Sequence, residues 1–333
     1  MSVIIGLFQE SDGMSEAVNT SRRGFAVGFA TYVSWGLFPI YFALMAPASS
    51  FEVISHRAVW GLVFCLVFLA TTGRWGQLRP LISDKSTLIP LLAAGVLIVI
   101  NWSIWVWAIL NGQTVNAALG YFINPLFTVF LAIVFLGERP TRPQIVAMSL
   151  GALAIVVMVI QLGSIPWVSI GLPVSFGIYG LIKKCISGNV PVVAGMAIET
   201  AAVSPFLIAF YIWLIVRGDT SVQTLISEGA TAWQLTGHLL LLFGAGVITV
   251  VVLIMFATAA KTLPLSVLGL LQFVSPIMQL IIGVWIFNEH MELGRWIGTA
   301  IIWVALIILS WDSLRGPQPH VGKRKERQER DPD

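Results

Sequence analysis

Four ionisable residues stand inside runs that are otherwise apolar: Glu52, His56 and Arg57 in "SSFEVISHRAVWG", and Glu199 in "PVVAGMAIETAAVSPF". Charge is costly there, so each is a candidate for holding or passing a proton or an ion. Glu199 follows Pro191 by eight residues, about 12 Å into a helix. A carboxylate at that depth must find a cation or lose its charge, which is what a proton-coupling group needs. Arg57 lies about 9 Å inside the outer boundary, counted from the start of its run. Its long side chain could reach toward Glu199 or turn back to the surface. Ser49 and Glu52 have the spacing of a capping box, which alone could account for Glu52. His56 sits one helical turn from Glu52 on the same face.

A second group is polar but uncharged. "ALGYFINPLFTVFLAIVFLGE" (residues 118–138) contains an Asn-Pro pair, and "VLGLLQFVSPIMQLIIGVWIFNE" (267–289) echoes it. Setting Pro125 on Pro276 also sets Glu138 on Glu289, an offset of 151. Neither proline can donate to the carbonyl four residues before it, so a break is expected at each. Inside a bilayer a freed carbonyl is tolerated beside protein or water. Asn124, Gln272 and Ser275 adjoin these breaks, with Asn116 and Gln279 along the same faces. Amides also bind helices together. For Asn124 and Gln272 the expectation is instead one central pathway lined from both runs. Trp35 and Tyr121, near Pro39 and Pro125, join Asn101 and Tyr179 as a candidate aromatic lining for a flat or amphipathic solute.

These side chains need helices to hold them. The chain has 333 residues, 57% hydrophobic and 11% charged, where soluble domains are roughly one quarter charged. It is therefore an all-α integral membrane protein. Apolar runs near 24–45, 51–71, 88–110, 114–137, 143–162, 166–185, 191–216, 237–259, 264–287 and 293–312 make ten spans, each near the ~20 residues that cross a bilayer. Of the 19 basic residues, 16 fall on one side of that arrangement, which predicts both termini in the cytoplasm and the chain in the inner membrane. Residues 1–21 read as a loose tail, not a cleaved signal. Residues 313–333 read as a basic tail that anchors near anionic lipid and takes no nucleic acid. Cys65 and Cys185 read as small hydrophobes. Zinc-protease, serine-hydrolase and P-loop patterns are missing, so no catalysis, cofactor or metal is expected. A scaffold or receptor remains the alternative, although it would lack a folded domain to recruit partners.

The echo extends further. "AAGV" at 93–96 matches "GAGV" at 244–247, and "VSWG" at 33–36 matches "VSFG" at 174–177. The repeat is thus five spans, residues 22–162 and then 163–312, and an odd number inverts the second copy. Inverted repeats are the usual construction of secondary transporters. The segments "YVSWGLFPIYF", "HRAVW", "INWSIWVWA", "ALGYFINPL", "FLGERP", "SFGIYGLIKK" and "IET" resemble the RarD branch of the EamA-type drug/metabolite transporter superfamily over residues 22–312. The resemblance implies ten helices in two five-helix inverted repeats, a central cavity, and export or exchange of small metabolites. The expected mechanism is proton coupling at Glu199, with Arg57 as charge partner or as clamp for a substrate anion. The partners expected are a small-molecule substrate and the lipid bilayer. A homodimer is compatible with the sequence but not required by it.

Overall fold

The computed structural model describes residues 2–186, 190–263 and 265–315. The basic tail of 316–333 lies outside these. Among the described residues ten helices are long and apolar enough to cross a membrane. They are α1 (Ser2–Ala43), α2 (Ser50–Thr71), α4 (Lys85–Leu110), α5 (Thr114–Leu136), α6 (Arg142–Leu162), α7 (Trp167–Ile186), α8 (Val192–Arg217), α10 (Ala232–Thr262), the composite of α11 (Leu265–Leu271) with α12 (Val274–Ile281), and α13 (Leu293–Arg315). Two short helices stand between spans, α3 (Leu78–Ser83) and α9 (Ser221–Ser227). They fall at the same place in the order of each half, after the second span, so the duplication extends to the loops. Ten crossings return the chain to the end of the bundle where it began. That end is called the termini face below, and the opposite one the far face.

Two expectations about helix continuity need correction. Residues 2–21, expected as a loose tail, continue the helix of the first span, because no proline interrupts the chain before Pro39. Pro125 does not break α5, which runs unbroken through it. A single proline removes one backbone hydrogen bond, and the turns on either side hold. Span nine does break. Its helix stops at Leu271 and restarts at Val274, two residues before Pro276. Its last turn is a π-helix, Ile282–Ile286.

Three apolar cores hold the bundle, the smallest joining α1, α10 and α11 around Tyr32, Ala259 and Leu268. The largest joins α1, α2, α4, α7, α8 and α10 around Phe42, Ile54, Trp105, Leu172 and Leu242. The second joins α5, α6, α12 and α13 around Phe122, Met158 and Ile302. With lipid on the outside, close backbone approach does much of the work of association. The matched "AAGV" and "GAGV" segments mark two such approaches. A Cβ on Gly95 of α4 would run into the backbone of Glu199 on α8, and one on Gly246 of α10 into the backbone of Trp60 and Gly61 on α2. The third span of each repeat thus crosses the second span of the other, and the halves interlock.

Candidate functional site

Glu199 is 3% exposed and finds its cation in Lys183. The ammonium lies 2.5 Å from Oε1, and the Tyr179 hydroxyl donates to Oε2 at 3.2 Å. Tyr179 and Lys183 are one turn apart at the end of α7, so one helix face delivers both. The missing Cβ of Gly95 gives α4 room beside the Glu199 backbone. Lys183 keeps 28% of its side chain exposed, so the pair is reached from the termini face. Sequence reasoning counted Lys183 only as a loop charge. The signal available was a Tyr and a Lys at i and i+4, ending the span that precedes the one carrying Glu199.

Arg57 does not pair with Glu199, and it does not turn back to the surface. It is 6% exposed, and its Nε donates to Thr249 Oγ1 of α10 at 3.0 Å. The guanidinium carbon lies 4.2 Å from the Trp102 ring centroid and 5.2 Å from that of Phe42. The separation has a simple origin. Arg57 follows Ser50, the start of α2, by the interval that separates Glu199 from Val192, the start of α8. The two helices begin at opposite faces, so equal intervals place these residues in different layers.

Glu52 and His56 belong to a third cluster, near the far face. Ser49 Oγ accepts from the Glu52 amide at 3.2 Å, as a cap should. The Glu52 carboxylate does not complete a capping box. It is fully buried and accepts from the amide and the hydroxyl of Ser221 at the start of α9, the hydroxyl at 2.8 Å. Ser221 Oγ is also 2.7 Å from His238 Nε2. His56 turns away from Glu52. Its Nδ1 accepts from Trp60 Nε1 at 3.2 Å, and its ring meets Tyr211 edge-on. This cluster ties the far-face loop to α2 and α10.

The amides divide the same way. Asn101, expected in the cavity lining, is 1% exposed and donates to the Leu172 carbonyl and to Ser175 Oγ, each at 3.0 Å, fastening α4 to α7. Gln279 is a junction that its sequence position understated. It accepts from Trp105 Nε1 at 3.2 Å and donates to the Trp35 carbonyl and to Ser275 Oγ, joining α12 to α1 and α4. The Trp35 ring packs against Tyr32 and Phe256. Asn124 and Gln272 are half-buried, and neither makes a side-chain hydrogen bond among the described residues. Tyr121 is half-buried and packs against the largest core.

Glu289 joins span nine to the start of α5 at the far face. Its carboxylate accepts from the amides of Thr114 and Val115, at 2.6 and 2.8 Å, on the first turn of α5. A helix N-terminus presents free amides and a partial positive charge, so an anion is held well there. Gly283 lets the π-turn approach that helix end, where a Cβ would press on Thr114 and Val115.

Residues 22–160 and 164–311 each match the EamA-like transporter family. The chain is 39% identical over 301 residues to Protein RarD of Streptomyces exfoliatus, covering 90% of this chain and 92% of that one. It is 38% identical over 305 residues to an uncharacterized transporter of Pseudomonas aeruginosa, covering 90% and 98%. A solved crystal structure of a protein shares the fold, with a TM-score of 0.55 at 15% identity over 89% of this chain and 99% of that one. Each matched family segment spans one of the two five-helix halves that interlock at Gly95 and Gly246. The chain belongs to the EamA-like transporter family, in its RarD branch, and is a multi-pass membrane transporter of the drug/metabolite type.

Proposed function

We propose that the chain exports or exchanges small metabolites across the inner membrane by alternating access of its two repeats, driven by protons at Glu199. The single observation behind this is a buried carboxylate whose cation, Lys183, is still part-exposed toward one face. A proton delivered to Glu199 discharges the pair and leaves Lys183 free to turn to solution. Loss of that proton on the other side restores the pair as the halves rock. Tyr179 steadies the carboxylate in either state, because its hydroxyl can donate to a charged or a neutral oxygen. The excess of Lys and Arg at the termini face supports a cytoplasmic location for it. Glu289 fastens the far end to α5, and the part-exposed Lys183 favours proton entry from the termini face.

The test uses the chain in liposomes, with a panel of labelled amino acids, organic acids, amines and neutral aromatics. Glu199→Gln should abolish accumulation driven by a pH gradient while sparing gradient-free exchange of the same solute. Normal accumulation by this variant would assign the pair a purely structural role. Flux of no panel member in the parent chain would favour the scaffold reading instead.

A further inference from the structure

We propose that Arg57 receives a carboxylate of the transported substrate, and that the substrate is a small organic or amino acid with a flat apolar body. This deepens the transport reading and rests on it. The argument begins with the acids. Glu52, fully buried, is taken by Ser221. Glu199 is taken by Lys183 and Tyr179. Glu289 is taken by the first turn of α5. The remaining acids with described side chains stand at helix ends or in loops: Asp84, Glu138, Asp219, Glu228, Glu292 and Asp312. Among the described side chains no acid is therefore left for Arg57.

The guanidinium itself is nine-tenths buried, and its hydrogen bonding is unfinished. Nε donates to Thr249, while neither terminal nitrogen has an acceptor among the described residues. Trp102 and Phe42 attract the cation through their ring faces but accept no hydrogen bond in its plane. A cation removed from water without a counter-ion is strongly disfavoured, and an arginine fork matches a carboxylate with two parallel hydrogen bonds. The surroundings select the rest of the ligand. Phe42, Trp102 and Trp105 pack about this layer. A flat apolar body fits rings of this kind. The site lies between helices of both repeats, since Arg57 and Trp102 belong to the first and Thr249 to the second, so a ligand here touches both halves that must rock.

The experiment measures thermal stabilisation and tryptophan quenching of the detergent-purified full chain with benzoate, indole-3-acetate, benzamide, benzylamine and chloride. Both carboxylates should stabilise and quench, benzamide, benzylamine and chloride should do neither, and Arg57→Gln should weaken carboxylate binding at least tenfold. Arg57→Lys, which keeps the charge but loses the fork, should fall between. Should Arg57→Gln fail to fold, Trp102→Leu in the parent background should weaken the aromatic acids while leaving the protein folded. Carboxylate binding unchanged by Arg57→Gln would overturn the proposal, as would equal binding of benzamide or of chloride. Liposome flux of amines or neutral aromatics with no carboxylate bound would overturn it too, yet leave transport standing.

Discussion

Glu289 and Glu138 are one position written twice, and the structure puts them to different use. Each follows a residue in the left-handed conformation, Asn288 at φ 53° and Gly137 at φ 66°. Glycine adopts that conformation freely and asparagine tolerates it, which is why "LGE" and "FNE" can turn the chain alike. At the far face the turn drives Glu289 onto the amides of α5. At the termini face it leaves Glu138 half exposed in an ion pair with Lys184 at 3.1 Å. The repeat thus supplies two clasps, of which one is fastened on a helix end and the other is not. A bundle that alternates needs that inequality to reverse.

The largest effect tests what the halves share. Gly95→Leu and Gly246→Leu each push a side chain into backbone that cannot move aside, so each should cost about 3 kcal/mol or more and prevent a stable fold. Thermal unfolding of both variants in detergent checks this. If one is tolerated and its counterpart is not, the interlock is not symmetric, and the repeats do not act as a matched pair.

The next pair separates the clasps. Glu289→Gln weakens charge-assisted bonds at a helix start, and its loss of stability should be about 1 kcal/mol. Glu138→Gln removes an exposed ion pair and should stay within about 0.5 kcal/mol of the parent. A cysteine at Val115, buried under the Glu289 turn, should be labelled by an aqueous thiol reagent in the Glu289→Gln background and spared in the parent. Equal stability losses, or labelling in both backgrounds, would mean that the far end is not held by this carboxylate.

The same contrast explains what could be read from the sequence. The ten spans and the two repeats were legible because length, apolarity and matched segments are properties of the chain itself. Glu199 was legible because an acid in an apolar run is conspicuous in any fold. Its partner was not, since choosing Lys183 over Arg57 depends on which layer each side chain enters, and that follows from the opposite directions of α2 and α8. Asn101, expected in the cavity lining and found between two helices, was misjudged for a related reason. An amide facing a neighbouring helix and one facing a cavity look alike until the neighbour is known. The proline breaks were half right: Pro276 is accompanied by a break and Pro125 is absorbed, although both occupy the same place in the repeat.

The smallest effect concerns another matched pair, the starts of α4 and α10. Both are the third span of a repeat, and both are capped, α4 by Asp84 and α10 by Thr231 with Gln234. Hydrogen bonds from Thr87 and Ser86 hold the Asp84 carboxyl below its ordinary value of 3.8. A carboxylate depressed in the folded state contributes its full stability above the unfolded value, and loses it as the pH falls through the lower folded one. The Thr231 cap carries no titrating group. Lowering the pH from 6 to 3 should therefore speed amide hydrogen exchange in the first turn of α4, after correction for the intrinsic pH dependence, and leave that of α10 unchanged. Asp84→Asn should raise exchange at α4 slightly at neutral pH and remove most of its response to acid. If both starts loosen together on acidification, the transition is global and the aspartate cap is not its cause.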